Sequence, residues 1–121
     1  MEHHFFALKI RDAERDKKGL ISSYINIGNI YYSQQTYTDA IKYYYEALKL
    51  AKEVNDKQSA GYIFNNLGNV YNSNDRYSEA LKMHDSALVI RKELTDKTSI
   101  ANTYNNIGSV YKRMNQSEEA L

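Results

Sequence analysis

The chain repeats itself, and this limits its possible folds more than any other feature. Displaced by about 40 residues, it matches itself along its length. Asn26-Ile27-Gly28-Asn29-Ile30-Tyr31 falls on Asn66-Leu67-Gly68-Asn69-Val70-Tyr71, and both fall on Asn106-Ile107-Gly108-Ser109-Val110-Tyr111. Tyr37-Thr38-Asp39-Ala40-Ile41 falls on Tyr77-Ser78-Glu79-Ala80-Leu81, with Ser117-Glu118-Glu119-Ala120-Leu121 as a third copy. Ala7-Leu8, Ala47-Leu48 and Ala87-Leu88 keep the same register, as do Asp16-Lys17, Asp56-Lys57 and Asp96-Lys97. Such a period means one supersecondary unit per copy, each burying its apolar face against its neighbours.

Each unit reads as two helices. Tyr24, Ile27, Ile30 and Tyr31 recur at steps of three and four, as do Phe64, Leu67, Val70 and Tyr71. A second helix carries Ala40, Tyr44, Ala47 and Leu48, then Ala80, His84, Ala87 and Leu88. Gln34-Gln35-Thr36 and Asn74-Asp75-Arg76 are polar breaks that predict the turn inside each unit. Asp56 and Asp96 stand where N-caps are expected, because a carboxylate there accepts free backbone N–H groups and favours the helix dipole. Asp16 is expected to do the same, with Gly19 as a departure from the other copies. Gly28, Gly68 and Gly108 fall mid-helix, where glycine costs about 1 kcal/mol relative to alanine. That cost is tolerable where a neighbouring helix must come close, and Ala40, Ala80 and Ala120 allow the same from the other side.

The pattern resembles the tetratricopeptide repeat (TPR): an aromatic, Leu-Gly, Tyr, Ala, an aromatic, then Ala. Here it reads Tyr24, Ile27-Gly28, Tyr31, Ala40, Tyr44, Ala47; then Phe64, Leu67-Gly68, Tyr71, Ala80, His84, Ala87; then Tyr104, Ile107-Gly108, Tyr111, Ala120. The usual period is 34 residues with a proline near its end, whereas this chain has about 40 and no proline. It therefore looks like the longer variant found in kinesin light chains, Rap-type regulators and bacterial TPR signalling proteins. The resemblance implies an all-α solenoid of antiparallel hairpins stacked as a right-handed superhelix. Residues 1–20 match the second helix of a truncated repeat, 21–60 and 61–100 are full repeats, and 101–121 is a truncated one. This single TPR domain is expected to be a fragment of a longer array, or to cap itself with a second copy. Ile107, Val110 and Tyr111 are then expected to lack part of their cover.

In TPR proteins the first helix of each repeat lines a concave groove. On that alignment the groove presents Ser22, Ile25, Asn26, Asn29, Tyr32 and Ser33; then Tyr62, Asn65, Asn66, Asn69, Asn72 and Ser73; then Asn102, Asn105, Asn106, Ser109, Lys112 and Arg113. Asparagine dominates. A carboxamide both donates and accepts, so it can pair with the N–H and the C=O of an extended peptide. The resemblance agrees, since long-period TPR proteins often hold extended peptides through groove asparagines. The competing reading is that the amides bond between adjacent repeats on a solvated face. Lys112-Arg113 closes one end of the groove and suits a ligand carboxylate, or simply a helix dipole. The carboxylate clamp of chaperone-binding TPR domains is not expected. Ile25, Asn102 and Asn106 stand at its basic positions, although Asn29 and Asn66 resemble its asparagines.

Other chemistry finds no support. Tyr31, Tyr71, Tyr111, Tyr37 and Tyr77 among the 12 tyrosines read as packing, and Tyr32 and Tyr62 as groove residues able to stack on a ligand. Only Tyr44 of Tyr43-Tyr44-Tyr45 holds a core position. His3 and His4 diverge on a helix, and His84 reads as a packed, hydrogen-bonded core residue. Glu118-Glu119 has no catalytic partner, and no phosphate-binding loop is present. The 16 basic and 15 acidic residues leave a net charge of +1, which gives no footprint for nucleic acid or an anionic membrane. No apolar run approaches the roughly 20 residues of a membrane span. Cysteine is absent, so thiolate metal sites and disulfides are excluded and the default location is cytoplasmic. The sequence thus predicts a non-enzymatic module without cofactor or metal. Its expected ligand is an extended peptide or partner helix, held by Asn26, Asn29, Tyr62, Asn65, Asn66, Asn69, Asn102, Asn105, Asn106, Lys112 and Arg113. Self-association through the truncated ends is a further expected contact. The alternative is a sensory or coupling region of a larger signalling protein, such as a histidine kinase, cyclase or transcription regulator.

Overall fold

The computed structural model describes the backbone of residues 2–120 and the side chains of residues 15–118. The expectations placed on Met1, Leu121 and the side chains of His3, His4, Ala7, Leu8, Glu119 and Ala120 therefore lie outside the described residues. Five helices follow in order: α1 Glu2–Ser33, α2 Tyr37–Glu53, α3 Lys57–Ser73, α4 Tyr77–Glu93 and α5 Lys97–Ala120. Helices α1 and α2 form one hairpin, α3 and α4 a second, and α5 packs on α4. The first helices α1, α3 and α5 touch in succession, whereas α2 and α4 do not touch each other. The array therefore curves toward the first helices, which line its concave side.

The turns end each helix in the same way without glycine. Gln35, Asn55, Asp75 and Thr95 adopt left-handed φ angles of 62°, 57°, 62° and 52°. In each turn the next N–H reaches back five residues along the helix end: Thr36 to Tyr31 at 2.9 Å, Asp56 to Ala51 at 2.8 Å, Arg76 to Tyr71 at 2.8 Å, Asp96 to Arg91 at 3.1 Å. This is the Schellman closure, which satisfies carbonyls the helix leaves free. The cap at Asp56 forms as the sequence predicts: its carboxylate accepts from Ser59 N at 3.1 Å and Ser59 Oγ at 2.7 Å. Asp96 repeats it with Ser99 at 3.2 Å and 2.6 Å.

Two expected breaks do not occur. Asp16 lies inside α1, a continuous helix of 32 residues, instead of capping a new one. Its copy has Gly19 where Ser59 and Ser99 stand, so the hydroxyl that completes the cap is missing. Nor does the chain turn between Arg113 and Ser117, because α5 continues to Ala120.

The core sits between the paired helices. Ala40, Tyr44, Ala47, Ile63, Leu67, Val70, Ala80 and Val110 are buried. Two of the three mid-helix glycines make room for a side chain, not a helix backbone. A β-carbon built on Gly28 would stand 2.8 Å from the Tyr44 ring, and one on Gly68 2.5 Å from the His84 ring. Gly108 has nothing within 4 Å. Exposure also separates two kinds of contact. Ile30 is 55% exposed while its counterparts Val70 and Val110 are fully buried, so this position packs on the preceding repeat. Val110 is therefore covered, contrary to expectation. Tyr111 is 53% exposed where Tyr71 is buried, so that position depends on its own hairpin partner. Lys52 over Phe64 and Lys92 over Tyr104 repeat one cation–π contact at both junctions between hairpins.

Candidate functional site

The concave face is built from side chains at groove positions of α1, α3 and α5, and the structure sorts them into two groups. One group is used by the fold. Asn65, expected on the open groove, is only 4% exposed. Its Oδ1 accepts from Asn106 Nδ2 at 3.1 Å and lies 3.0 Å from His84 Nδ1. An oxygen acceptor there requires the proton on Nδ1, so neutral His84 leaves Nε2 as a buried nitrogen without a protein partner. Burial first, and the Arg91 charge second, lower the His84 pKa to about 4. Asn72 Nδ2 donates to Ser109 Oγ at 3.5 Å, and Tyr32 Oη donates to Asn69 O at 3.3 Å and lies 2.8 Å from Ser73 Oγ. These bonds knit α1 to α3 and α3 to α5 in the same register.

Arg113 also belongs to this group. Nη1 donates to the Asn72 carbonyl at 2.7 Å, near the C-terminal end of α3, and Nη2 to Asp75 Oδ1 at 2.9 Å. Its guanidinium lies 5.9 Å from the Tyr77 ring centroid. A cation at a helix C-terminus is stabilised by the dipole and the last carbonyls, and this use occupies Arg113. Arg113 is thus not free to receive a ligand carboxylate. Lys112 beside it is exposed.

The second group surrounds a depression of about 270 Å³ between α1 and α3, lined by Asn29, Tyr32, Ser33, Tyr44, Tyr62, Asn66 and Asn69. Four of the expected residues, Asn29, Tyr62, Asn66 and Asn69, meet here. Tyr44 was expected only in the core. It lies across Gly28, and its hydroxyl donates to Asn29 Oδ1 at the groove floor. Burial pushes its pKa well above the ordinary phenol range, the Tyr62 and Tyr32 phenols add to the rise, and the Asn66 carboxamide beside it opposes it. Asn69 uses its backbone carbonyl for Tyr32, and its carboxamide makes no hydrogen bond among the described residues. Asn26, Asn102 and Asn105 are exposed and stand apart from the depression.

A second depression of about 250 Å³ adjoins the first at Tyr62, which lines both. Its other walls are Gln58, Ser59, Arg91, Leu94, Asp96 and Ser99. Arg91 is only 7% exposed. Its Nη1 donates to Ser99 O at 3.1 Å and Thr103 Oγ1 at 2.7 Å. Burial lowers its pKa, with Asp96 the main opposing influence. Sequence reasoning missed this residue. The available signal is Gly61 where Ile21 and Ala101 stand, beside Arg91, a position that holds arginine again at Arg11 and alanine at Ala51.

Among the described residues no group of three or more His, Cys, Asp or Glu is placed to hold a metal ion, and no helix is long and apolar enough to cross a membrane. Two family models described as tetratricopeptide repeat match residues 20–59 and 59–121. Among solved structures, the TPR domain of Arabidopsis FLU superposes with a TM-score of 0.77 at 25% identity, covering 86% of this chain and 87% of that one. BtubC (BKLC) from P. vanneervenii superposes with a TM-score of 0.75 at 29% identity, covering 98% of this chain and 51% of that one. The chain thus spans about half the length of BtubC. Comparison with curated proteins finds no match.

Proposed function

Because the chain belongs to the tetratricopeptide repeat family, a non-enzymatic helical repeat that mediates protein–protein interaction, we propose that it binds an extended peptide in the depression between α1 and α3. One observation carries this reading. Asn66 and Asn69 stand one helical turn apart on α3, beside the exposed ring of Tyr62, and the Asn69 carboxamide is not taken by the fold. Two carboxamides at that spacing offer donor and acceptor pairs to a peptide backbone, and Tyr62 offers a face for stacking. Asn29 forms the floor and is held by Tyr44. Asn65, Asn106 and Arg113 are held by bonds within the fold, and Asn26, Asn102, Asn105 and Lys112 are exposed outside this depression.

Selection from a displayed library of random 12-residue peptides tests the proposal. The expected result is a set of binders whose affinity drops at least tenfold in Asn66→Ala/Asn69→Ala, at unchanged helicity and Tm. Each lost amide interaction is worth about 0.5–1.5 kcal/mol, so two suffice for that factor. Binders indifferent to the double variant, or no binders at all, reject this groove as the site.

A further inference from the structure

We propose that Arg91 anchors a carboxylate-binding subsite at the Tyr62 end of the groove, which takes one acidic group of a bound peptide, either an acidic side chain or a free C-terminus. The proposal rests on the peptide-binding reading above and says which residue that peptide must carry.

The comparison of the two junctions between hairpins motivates it. At the first junction the corresponding positions are Ile21, Ala51 and Ile63, all buried and all apolar. At the second they are Gly61, Arg91 and Thr103. Apolar residues therefore suffice to close such a junction, and the arginine is not required for it. Gly61 lies beside the arginine: a β-carbon there would crowd Ile90 Cγ2 at 3.3 Å and make ordinary contact with Arg91 Cγ at 3.6 Å. The guanidinium reaches from α4 to Ser99 and Thr103 on α5.

A buried cation is costly unless something compensates its charge. Arg91 has two neutral acceptors, Ser99 O and Thr103 Oγ1, both on Nη1. Among the described residues no carboxylate lies within 4.0 Å of its nitrogens, and Nε and Nη2 donate to no protein group. Those two N–H groups are the edge of a guanidinium that binds a carboxylate bidentately. Gln58 and Tyr62 add donors on the same depression, while Ser59 and Ser99 are engaged with Asp56 and Asp96. The charge count selects the ligand. One carboxylate neutralises one guanidinium, whereas a phosphate of charge about −1.5 to −2 would leave excess negative charge beside Asp96. Asp96 also opposes a carboxylate, to a smaller degree, and this provides a variant of opposite sign.

The test is a titration of the ¹⁵N-labelled chain at pH 7 and constant ionic strength, observing the Arg91 Nε–H and the amides of Tyr62 and Ser99. The probes are acetyl-Gly-Glu-Gly-amide, its Gln counterpart, acetyl-Gly-Gly-Gln with a free C-terminus, and inorganic phosphate. A saturable shift with one or both carboxylate peptides, absent with the neutral one, is expected, and the two carboxylate arms separate side chain from chain end. Arg91→Gln should abolish the shift, and Asp96→Asn, which keeps a capping oxygen, should tighten binding by about two- to fivefold. Equal shifts from the Glu and Gln peptides, tighter binding of phosphate, or weaker binding in Asp96→Asn would overturn the subsite, and these comparisons hold even if Arg91→Gln fails to fold. Library-selected peptides that need Asn66 and Asn69 yet ignore Arg91→Gln would sink this inference alone. Binding of the short acidic probe without any selected peptide would sink only the groove reading.

Discussion

The two hairpins place different side chains at one position, and the difference decides what each groove asparagine does. In the first, Tyr44 lies over Gly28 and its hydroxyl reaches Asn29. In the second, His84 lies over Gly68 but is shorter, and its ring nitrogen meets Asn65, one turn earlier than the counterpart of Asn29. That counterpart, Asn69, keeps its carboxamide for the groove, while position 25, the counterpart of Asn65, is isoleucine. A recurring asparagine is therefore not a recurring function. The side chain beneath it, on the second helix, determines whether the amide is engaged by the fold or left open to the groove.

The largest test of this arrangement is Gly68→Leu. All three nearest atoms to a β-carbon at Gly68 belong to the His84 ring, which is itself enclosed. Overpacking of this kind costs about 3 kcal/mol, and chemical denaturation should show it. At Gly108 nothing stands within 4 Å, so Gly108→Ala should gain up to about 1 kcal/mol from helix propensity alone. Similar losses at both sites would mean that the ring contact does not explain the glycine.

Next in size is an acid sensitivity confined to the second hairpin. His84 is neutral in the fold, with its pKa lowered to about 4 by burial and by Arg91. Unfolded histidine binds a proton below about pH 6.5, so in that window the unfolded state holds more protons and stability falls as pH falls. The loss by pH 4 should reach up to ~3 kcal/mol, read from denaturation midpoints. His84→Tyr copies the first hairpin and should flatten the curve between those values. Asp96, whose pKa is lowered by its Ser99 bonds, acts below that window. An unchanged slope in His84→Tyr would assign the sensitivity elsewhere.

Much of this was legible in the sequence, for local reasons. Helix ends followed from Gln34-Gln35-Thr36 and Asn74-Asp75-Arg76, and caps from Asp56 and Asp96, because both depend on neighbours within four residues. The structure adds the serine three residues on, at Ser59 and Ser99, which Asp16 lacks because Gly19 stands there. The groove face was legible from helical periodicity, but the division between Asn65 and Asn69 was not. Both lie on the inward side of α3, and only the reach of His84 from another helix separates them. Arg91 was illegible for a related reason. An arginine in the last turn of a helix reads as a partner of the dipole, and its path past Gly61 is a long-range fact.

That division can be tested at its two asparagines. Asn65→Ala leaves the His84 Nδ1–H buried without an acceptor and removes the partner of Asn106. An orphaned buried donor costs about 1–3 kcal/mol. Asn69→Ala should lie within about 0.5 kcal/mol of the parent, as surface substitutions usually do. Equal costs would erase the distinction between a structural and an available amide.

The smallest expected effect compares the turns that follow the two hairpins. Asn55 and Thr95 occupy the same left-handed position, at φ 57° and 52°. Asparagine tolerates that region because its short polar side chain bonds locally, whereas a β-branched residue crowds its own backbone there. Thr95→Gly should therefore raise stability by about 1 kcal/mol, seen as an increase in Tm, and Asn55→Gly by less. Equal gains would show that the closure costs the same at both turns and that the strain at Thr95 is already relieved. The Thr95 Oγ1 contact to the Leu94 carbonyl at 2.7 Å is the candidate for such relief. Thr95→Val removes that hydroxyl while keeping the branching, so a further loss in Thr95→Val would identify it.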